Sequence, residues 1–190
     1  MKIGVLAMQG AFREHIKSLA ALGVQGVEIR HANQLEGLAG LIIPGGESTT
    51  IGKLMVEFNL LEPVRHLAEE GLPIFGTCAG MVLLARDIIG SDQPRLGLMK
   101  ARVQRNAFGR QVASFETDLD IPVLGPEPFH AVFIRAPYLE AVEPPAEVLA
   151  TFNDKIVMAR QGNLLATAFH PELTEDLRVH RYFLEMIKKG

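Results

Sequence analysis

From Ile3 to Arg86 the chain alternates short apolar runs with stretches of helical spacing, and this alternation constrains the fold more than any other feature. Ile3–Ala7 suits a strand buried on both faces. Arg13–Leu22 places Ile16, Leu19, Ala20 and Leu22 at helical spacing and closes at Gly23. Val24–Ile29 alternates as a second strand. Leu41–Ile43 is a third, ending in Pro44-Gly45-Gly46. Ser48 or Thr49 can cap a helix running to about Phe58. Pro63 to Glu70 reads as another helix, with Pro63 near its first turn. Leu72–Gly76 is a fourth strand, followed directly by a helix over Ala79–Arg86. Strands separated by helices require parallel crossovers, so the expected architecture is α/β with helices on both faces of a sheet.

The pattern changes after Ile89. Gly90 to Gly97 is a polar loop. Strand candidates follow at Met99–Gln104, Gln111–Phe115, Ala131–Arg135, Glu147–Phe152, Lys155–Arg160 and Leu164–Phe169. Asn153-Asp154 and Gln161-Gly162-Asn163 carry hairpin turn chemistry. The second half should therefore be largely antiparallel, either extending the first sheet or lying beside it. Glu175–Lys188 closes the chain as an amphipathic helix, with Leu177, Tyr182, Leu184 and Ile187 as its expected buried face. No linker or repeat divides the chain, and residues 1–190 are expected to form one domain.

Nineteen basic against 22 acidic residues leave a net charge of −3. That balance argues against a nucleic-acid or anionic-membrane binder. The apolar run after Lys2 stops at Gln9-Gly10, too short for a secretion signal. No apolar stretch approaches the ~18 residues needed to span a bilayer. A soluble, cytoplasmic protein is expected. The single cysteine, Cys78, excludes an internal disulfide and any cysteine-held metal site within one chain.

Around Cys78 the sequence reads Pro73-Ile-Phe-Gly-Thr-Cys-Ala-Gly-Met-Val: a strand, G-x-C-x-G, then a helix. The same strand–turn–helix elbow holds nucleophilic serines in hydrolases. Gly76 and Gly80 give room for the sharp reversal, and the helix start favours a thiolate over the ordinary thiol of pKa ~8.5. On this segment alone, Cys78 could equally be a small buried hydrophobe.

A thiol nucleophile needs a base and the base an orienting group. Of six histidines, His15, His66 and His180 fall on expected helices, and His31 and His130 near loops or strand starts. These five read as surface or internally satisfied side chains. His170 ends an expected strand and precedes Pro171-Glu172. A residue before proline is pushed towards extended conformations, where positions i and i+2 share a side. Glu172 can then receive one ring N–H of His170 while the other nitrogen faces the sulfur. A carboxylate opening a helix is the alternative for Glu172.

A cysteine elbow followed much later by His-Pro-Glu resembles the class I, triad-type glutamine amidotransferases. Three further segments narrow the resemblance to the glutaminase subunits of pyridoxal 5′-phosphate synthase. They are Gly4-Val-Leu-Ala-Met-Gln-Gly-Ala-Phe-Arg-Glu-His, Pro44-Gly-Gly-Glu-Ser-Thr-Thr, and Gln104-Arg-Asn-Ala-Phe-Gly-Arg-Gln with Val132-Phe-Ile-Arg-Ala-Pro. The similarity runs from Lys2 into the last helix. It implies a three-layer, flavodoxin-like class I glutamine amidotransferase fold, with a mostly parallel central sheet and an antiparallel extension in the second half.

The resemblance also implies roles. Cys78 would attack the side-chain amide of glutamine, His170 would act as base and acid, and Glu172 would orient it. Gly46, Glu47, Ser48, Arg105, Ile134 and Arg135 would bind L-glutamine. The amides of Gly46 and Ala79 would stabilise the oxyanion, each worth ~3–4 kcal/mol. Gln9 and Gly10 would lie near that site as auxiliary residues, coupled to partner binding. The implied reaction releases glutamate and ammonia through a γ-glutamyl thioester, with no cofactor and no metal. Ammonia must reach an acceptor before it is protonated, and 190 residues do not house both sites. A partner is therefore implied: a (β/α)8-barrel pyridoxal 5′-phosphate synthase subunit, in a large hetero-oligomer built on a dodecameric core. A glutaminase subunit serving another pathway, such as histidine biosynthesis, shares the elbow and the His-Pro-Glu but lacks the start and the Arg-Asn-Ala-Phe-Gly-Arg-Gln segment. A non-catalytic flavodoxin-like module with Cys78 as redox sensor leaves the Pro-Gly-Gly-Glu-Ser loop unexplained.

Overall fold

A computed structural model of the chain describes residues 1–108 and 113–189. The parallel half of its main sheet comprises β1 (Lys2–Leu6), β2 (Gln25–Ile29), β3 (Gly40–Ile43) and β4 (Ile74–Thr77), joined by helical crossovers. β3 and β4 are buried at every position, as strands covered on both faces must be. β12 (Leu164–Thr167) returns from far along the chain to pair parallel with β4.

Beyond β12 the sheet turns antiparallel through β11 (Lys155–Gln161), β9 (Tyr138–Val142) and β6 (Met99–Gln104), with β10 (Glu147–Phe152) also paired to β11. β5 (Ala85–Ile88) closes the edge parallel to β6. From edge to edge the order is β2-β1-β3-β4-β12-β11-β9-β6-β5. The expected hairpins form. Asn153 and Asp154 both take positive φ, the pair of conformations a two-residue primed turn requires. β7 (Ser114–Leu119) and β8 (Phe129–Ile134) form a separate two-stranded sheet. The antiparallel strands thus both extend the first sheet and lie beside it.

Side-chain alternation along β4 assigns the helical layers. Phe75 packs on one face against Phe183 of α5 (Arg178–Lys189) and near His15 of α1 (Phe12–Ala21). Its neighbour Gly76 faces the other way, against Gly80 and Leu84 of α4 (Ala79–Leu84). α2 (Ser48–Glu57) packs on α4, and α3 (Leu61–Glu69) on α2, so these three cover the second face. The arrangement is helix, sheet, helix, with a continuous apolar core through it.

Several boundaries differ from expectation. The helix expected over Ala79–Arg86 ends at Leu84, because Ala85–Ile88 leaves it to pair with β6. Neither Ser48 nor Thr49 caps α2. Glu47 does, its carboxylate accepting from the amides of Thr49 (3.2 Å) and Thr50 (2.7 Å). The last helix starts at Arg178 and buries Val179, His180, Phe183, Leu184 and Met186. Tyr182 and Ile187 lie only partly buried at its margin, and Leu177 precedes it. β9 has no counterpart among the expected strands. The strand expected at Gln111–Phe115 begins outside the described residues, and the described strand is Ser114–Leu119.

Candidate active site

The register between β4 and β12 builds the site. Thr77 pairs with Thr167, and the next residue, Cys78, donates its amide to the Thr167 carbonyl at 2.8 Å. Cys78 then turns the chain into α4 with φ 49° and ψ −100°. This is a strained position for a side-chain-bearing residue, of the kind a nucleophile elbow holds. The flanking glycines are close-approach positions. A Cβ at Gly76 would lie 2.5 Å from the Gly80 backbone, and one at Gly80 would strike the carbonyl oxygen of Ile43. Cys78 is buried, with its sulfur 3.8 Å from the Ile134 carbonyl oxygen.

Three residues beyond Thr167, His170 leaves the sheet. Its amide donates to the Val132 carbonyl at 2.8 Å, which ties it to β8. Its ring Nδ1 lies 2.7 Å from Glu172 Oε1, and both residues are buried. The expected extended segment is not what aligns them. The strand ends at Thr167, and Pro171–Leu173 forms a single 3-10 turn with His170 at its N-cap. Glu172 therefore both opens a helical turn and faces the histidine. Burial works against a charged ring, yet Cys78 and Glu172 together raise the His170 pKa from 6.5 to about 10. Burial likewise pushes Glu172 up, but His15 and His170 hold it below the usual carboxylate range.

Cys78 and His170 open onto a cleft of about 650 Å³, a volume suited to a small metabolite. Gly46, Glu47, Ser48 and Ala79 line it, and so do Arg105, Ile134 and Arg135. Gln9 and Gly10 line it too, beside the loop that follows β3. The Gln9 Oε1 atom accepts from the Glu47 amide at 2.8 Å, and the Gly45 carbonyl accepts from the Ala11 amide at 3.0 Å. Gly45 packs so closely that a Cβ there would strike the His170 ring. Of the expected site residues, Glu172 stays behind the cleft wall.

The geometry also brings forward residues with no local signal in the sequence. Gln93, buried in the loop after β5, accepts from Arg105 Nη1 at 2.7 Å and from the Thr49 hydroxyl at 3.3 Å. It fixes where the guanidinium of Arg105 points. His15 and His180, expected as satisfied or surface residues, are fully buried, His15 beside Glu172 and His180 beyond His15. Their helical positions do not announce this, since α1 and α5 meet only through the tertiary fold.

Comparisons with known proteins place the chain in a family. Residues 5–189 match the model of the SNO glutamine amidotransferase family. A Moorella thermoacetica protein named pyridoxal 5'-phosphate synthase subunit PdxT is 89% identical over 187 residues, covering 98% of this chain and 100% of the relative. The Thermus thermophilus protein of the same name is 59% identical, covering 97% and 96% of the two chains. A crystal structure described as a glutamine amidotransferase superposes with a TM-score of 0.93 at 55% identity, over 98% of each chain. A more remote structure from Thermoplasma acidophilum, described as a putative GMP synthase subunit, shares the fold at 20% identity and a TM-score of 0.71. The chain belongs to the SNO glutamine amidotransferase family.

Proposed function

We propose that this chain is a glutaminase that hydrolyses L-glutamine and passes the ammonia to a pyridoxal 5′-phosphate synthase subunit. The observation that carries the reading is Cys78 and His170 in a cleft lined by two arginines, with Glu172 buried behind His170. The names of the relatives support the pathway.

In the proposed mechanism His170 holds the proton given up by Cys78, and the sulfur attacks Cδ of the glutamine side chain. The amides of Gly46 and Ala79 donate to the oxyanion, and Arg105 and Arg135 hold the α-carboxylate. Glu47, Ser48 and Ile134 shape the rest of the pocket, and Gln9 and Gly10 support the oxyanion loop. Collapse of the tetrahedral species breaks the C–N bond, and His170 protonates the departing ammonia. Acylation removes the thiolate that helps raise His170, so the ring returns towards the range in which it can deprotonate water. That water cleaves the thioester to glutamate and free Cys78.

Residues 1–190 act as one glutaminase domain, a reading supported by the single core that spans the sheet. The acceptor subunit is a (β/α)8-barrel in a large cytoplasmic hetero-oligomer. Among the described residues no helix is long and apolar enough to cross a membrane. The test is glutamate release from glutamine with and without the cognate synthase. Release that depends on Cys78 and rises with the synthase supports the reading; retention by Cys78→Ala sinks it.

A further inference from the structure

Glu172 uses one carboxylate oxygen for His170, at 2.7 Å. Its other oxygen, Oε2, is buried with no hydrogen-bond partner within normal distance among the described residues. Nε2 of His15 approaches it at 3.6 Å. That same nitrogen lies 3.2 Å from the Thr77 hydroxyl. On its far side His15 Nδ1 lies 2.9 Å from His180 Nε2, and His180 Nδ1 is buried without a partner among the described residues. Phe75 meets both imidazoles edge-on, and both rings are fully buried. The result is a buried chain: His180, His15, Glu172, His170, Cys78.

One proton lies between the two histidines, and its placement has only two solutions when both rings are neutral. If His15 carried it on Nδ1, the lone pair of Nε2 would face the Glu172 carboxylate. His180 would then keep its own proton on Nδ1 as a buried N–H without an acceptor, which is rare in folded proteins. If His180 donates instead, His15 presents Nε2–H towards Glu172 Oε2 and Thr77, and only a lone pair of His180 stays unmet. Both considerations select the second arrangement. Both rings are kept neutral by burial, which lowers His15 and takes His180 down to about 3. Glu172, His170 and Glu14 act electrostatically on His15, and His15 and Glu172 on His180.

We propose that His15 is a positioning residue for the triad, directing Nε2–H at the carboxylate oxygen that His170 leaves free, and that His180 fixes the tautomer in which it does so. The proposal rests on the glutaminase reading for its kinetic consequence, while its tautomer assignment stands on the geometry and full burial of the two rings. Nitrogen-15 spectra of the imidazoles in the wild-type chain at neutral pH test it directly. They should show His15 and His180 both protonated on Nε2 and bare on Nδ1; a proton on His15 Nδ1 overturns the proposal. In glutamate release stimulated by the synthase, His15→Leu should lower kcat by a few-fold to about tenfold with KM unchanged, the loss of a 3.6 Å electrostatic contact between an N–H and a buried carboxylate. His15→Gln, which keeps an N–H near the Nε2 position, should recover part of that loss. Equal losses in the two variants, or a loss confined to KM, would count against positioning. Absence of glutamate release by the wild type would instead overturn the glutaminase reading, and the spectra alone would then decide the tautomer.

Discussion

Cys78 donates its amide to the carbonyl of Thr167 at 2.8 Å, one step past the last paired residues of β4 and β12. That bond fixes two chain segments far apart in sequence at the point where both leave the sheet. The thiol follows on one strand and the imidazole three residues later on the other. Register between two parallel strands thereby sets the distance between nucleophile and base.

The strain at Cys78 should be measurable as stability. With φ at 49°, a side chain at this position costs of order 1–3 kcal/mol that glycine avoids. Cys78→Gly should therefore unfold at a higher temperature than Cys78→Ala, by roughly 1 kcal/mol or more in ΔG, although both are inactive. Equal melting temperatures for the two variants would show that the elbow is unstrained.

Gly80→Ala should do the opposite. Its Cβ would meet the backbone carbonyl of Ile43, which is held in β3 and cannot move aside as a flexible side chain would. A loss of about 1–3 kcal/mol is expected from such overpacking. Chemical denaturation of the variant checks it, and glutaminase activity should fall together with stability because α4 carries the Ala79 amide.

The buried histidines predict a specific acid response. A histidine whose folded pKa lies below its unfolded value binds a proton more readily when unfolded, so it loses stability as pH falls below ~6.5. His180, lowered to about 3, contributes this loss across the window from ~6.5 down to about 3, and His15 acts in the same direction. Each adds a slope approaching ~1.4 kcal/mol per pH unit. His180→Phe should flatten the acid limb of stability against pH by about one proton. His170 works at the other end. With its folded pKa raised to about 10, its stabilising contribution is complete below ~6.5, declines as pH rises, and is gone above about 10. The alkaline limb should flatten in His170→Gln.

Gln93→Leu tests the seating of Arg105. Loss of the 2.7 Å contact leaves the guanidinium without its buried acceptor. A hydrogen bond to a charged group contributes roughly 1.5–3 kcal/mol, so KM for glutamine should rise about tenfold or more. The kcat should change little, since Gln93 does not approach the sulfur. A fall in kcat at constant KM would contradict this assignment.

Much of this is legible in the chain itself. The apolar runs and their spacing specify the parallel strands, because a strand buried on both faces leaves an unbroken apolar signature. Asn153-Asp154 and Gly162 mark their turns through the positive φ those turns demand. β5 and β9 are not legible, because short, partly exposed segments such as Ala85–Ile88 carry no periodicity of their own and pair only because a neighbouring edge is available. The buried side of α5 departs from its pattern because half-exposed Tyr182 and Ile187 resemble core residues in composition, while His180 does not.

The sequence by itself determined which residues could do chemistry: a lone thiol between two glycines, and a histidine and a glutamate joined through a proline. Local sterics account for these, since an elbow needs small neighbours and a proline restricts the residue before it. Only the tertiary structure decided that His170 stands against Cys78, that Gln93 holds Arg105, and that His15 lies beside Glu172 with His180 beyond it. Those contacts join segments separated by as many as 165 residues. They depend on strand register and helix packing, which arise from burying the whole core and are written in no local stretch of the chain.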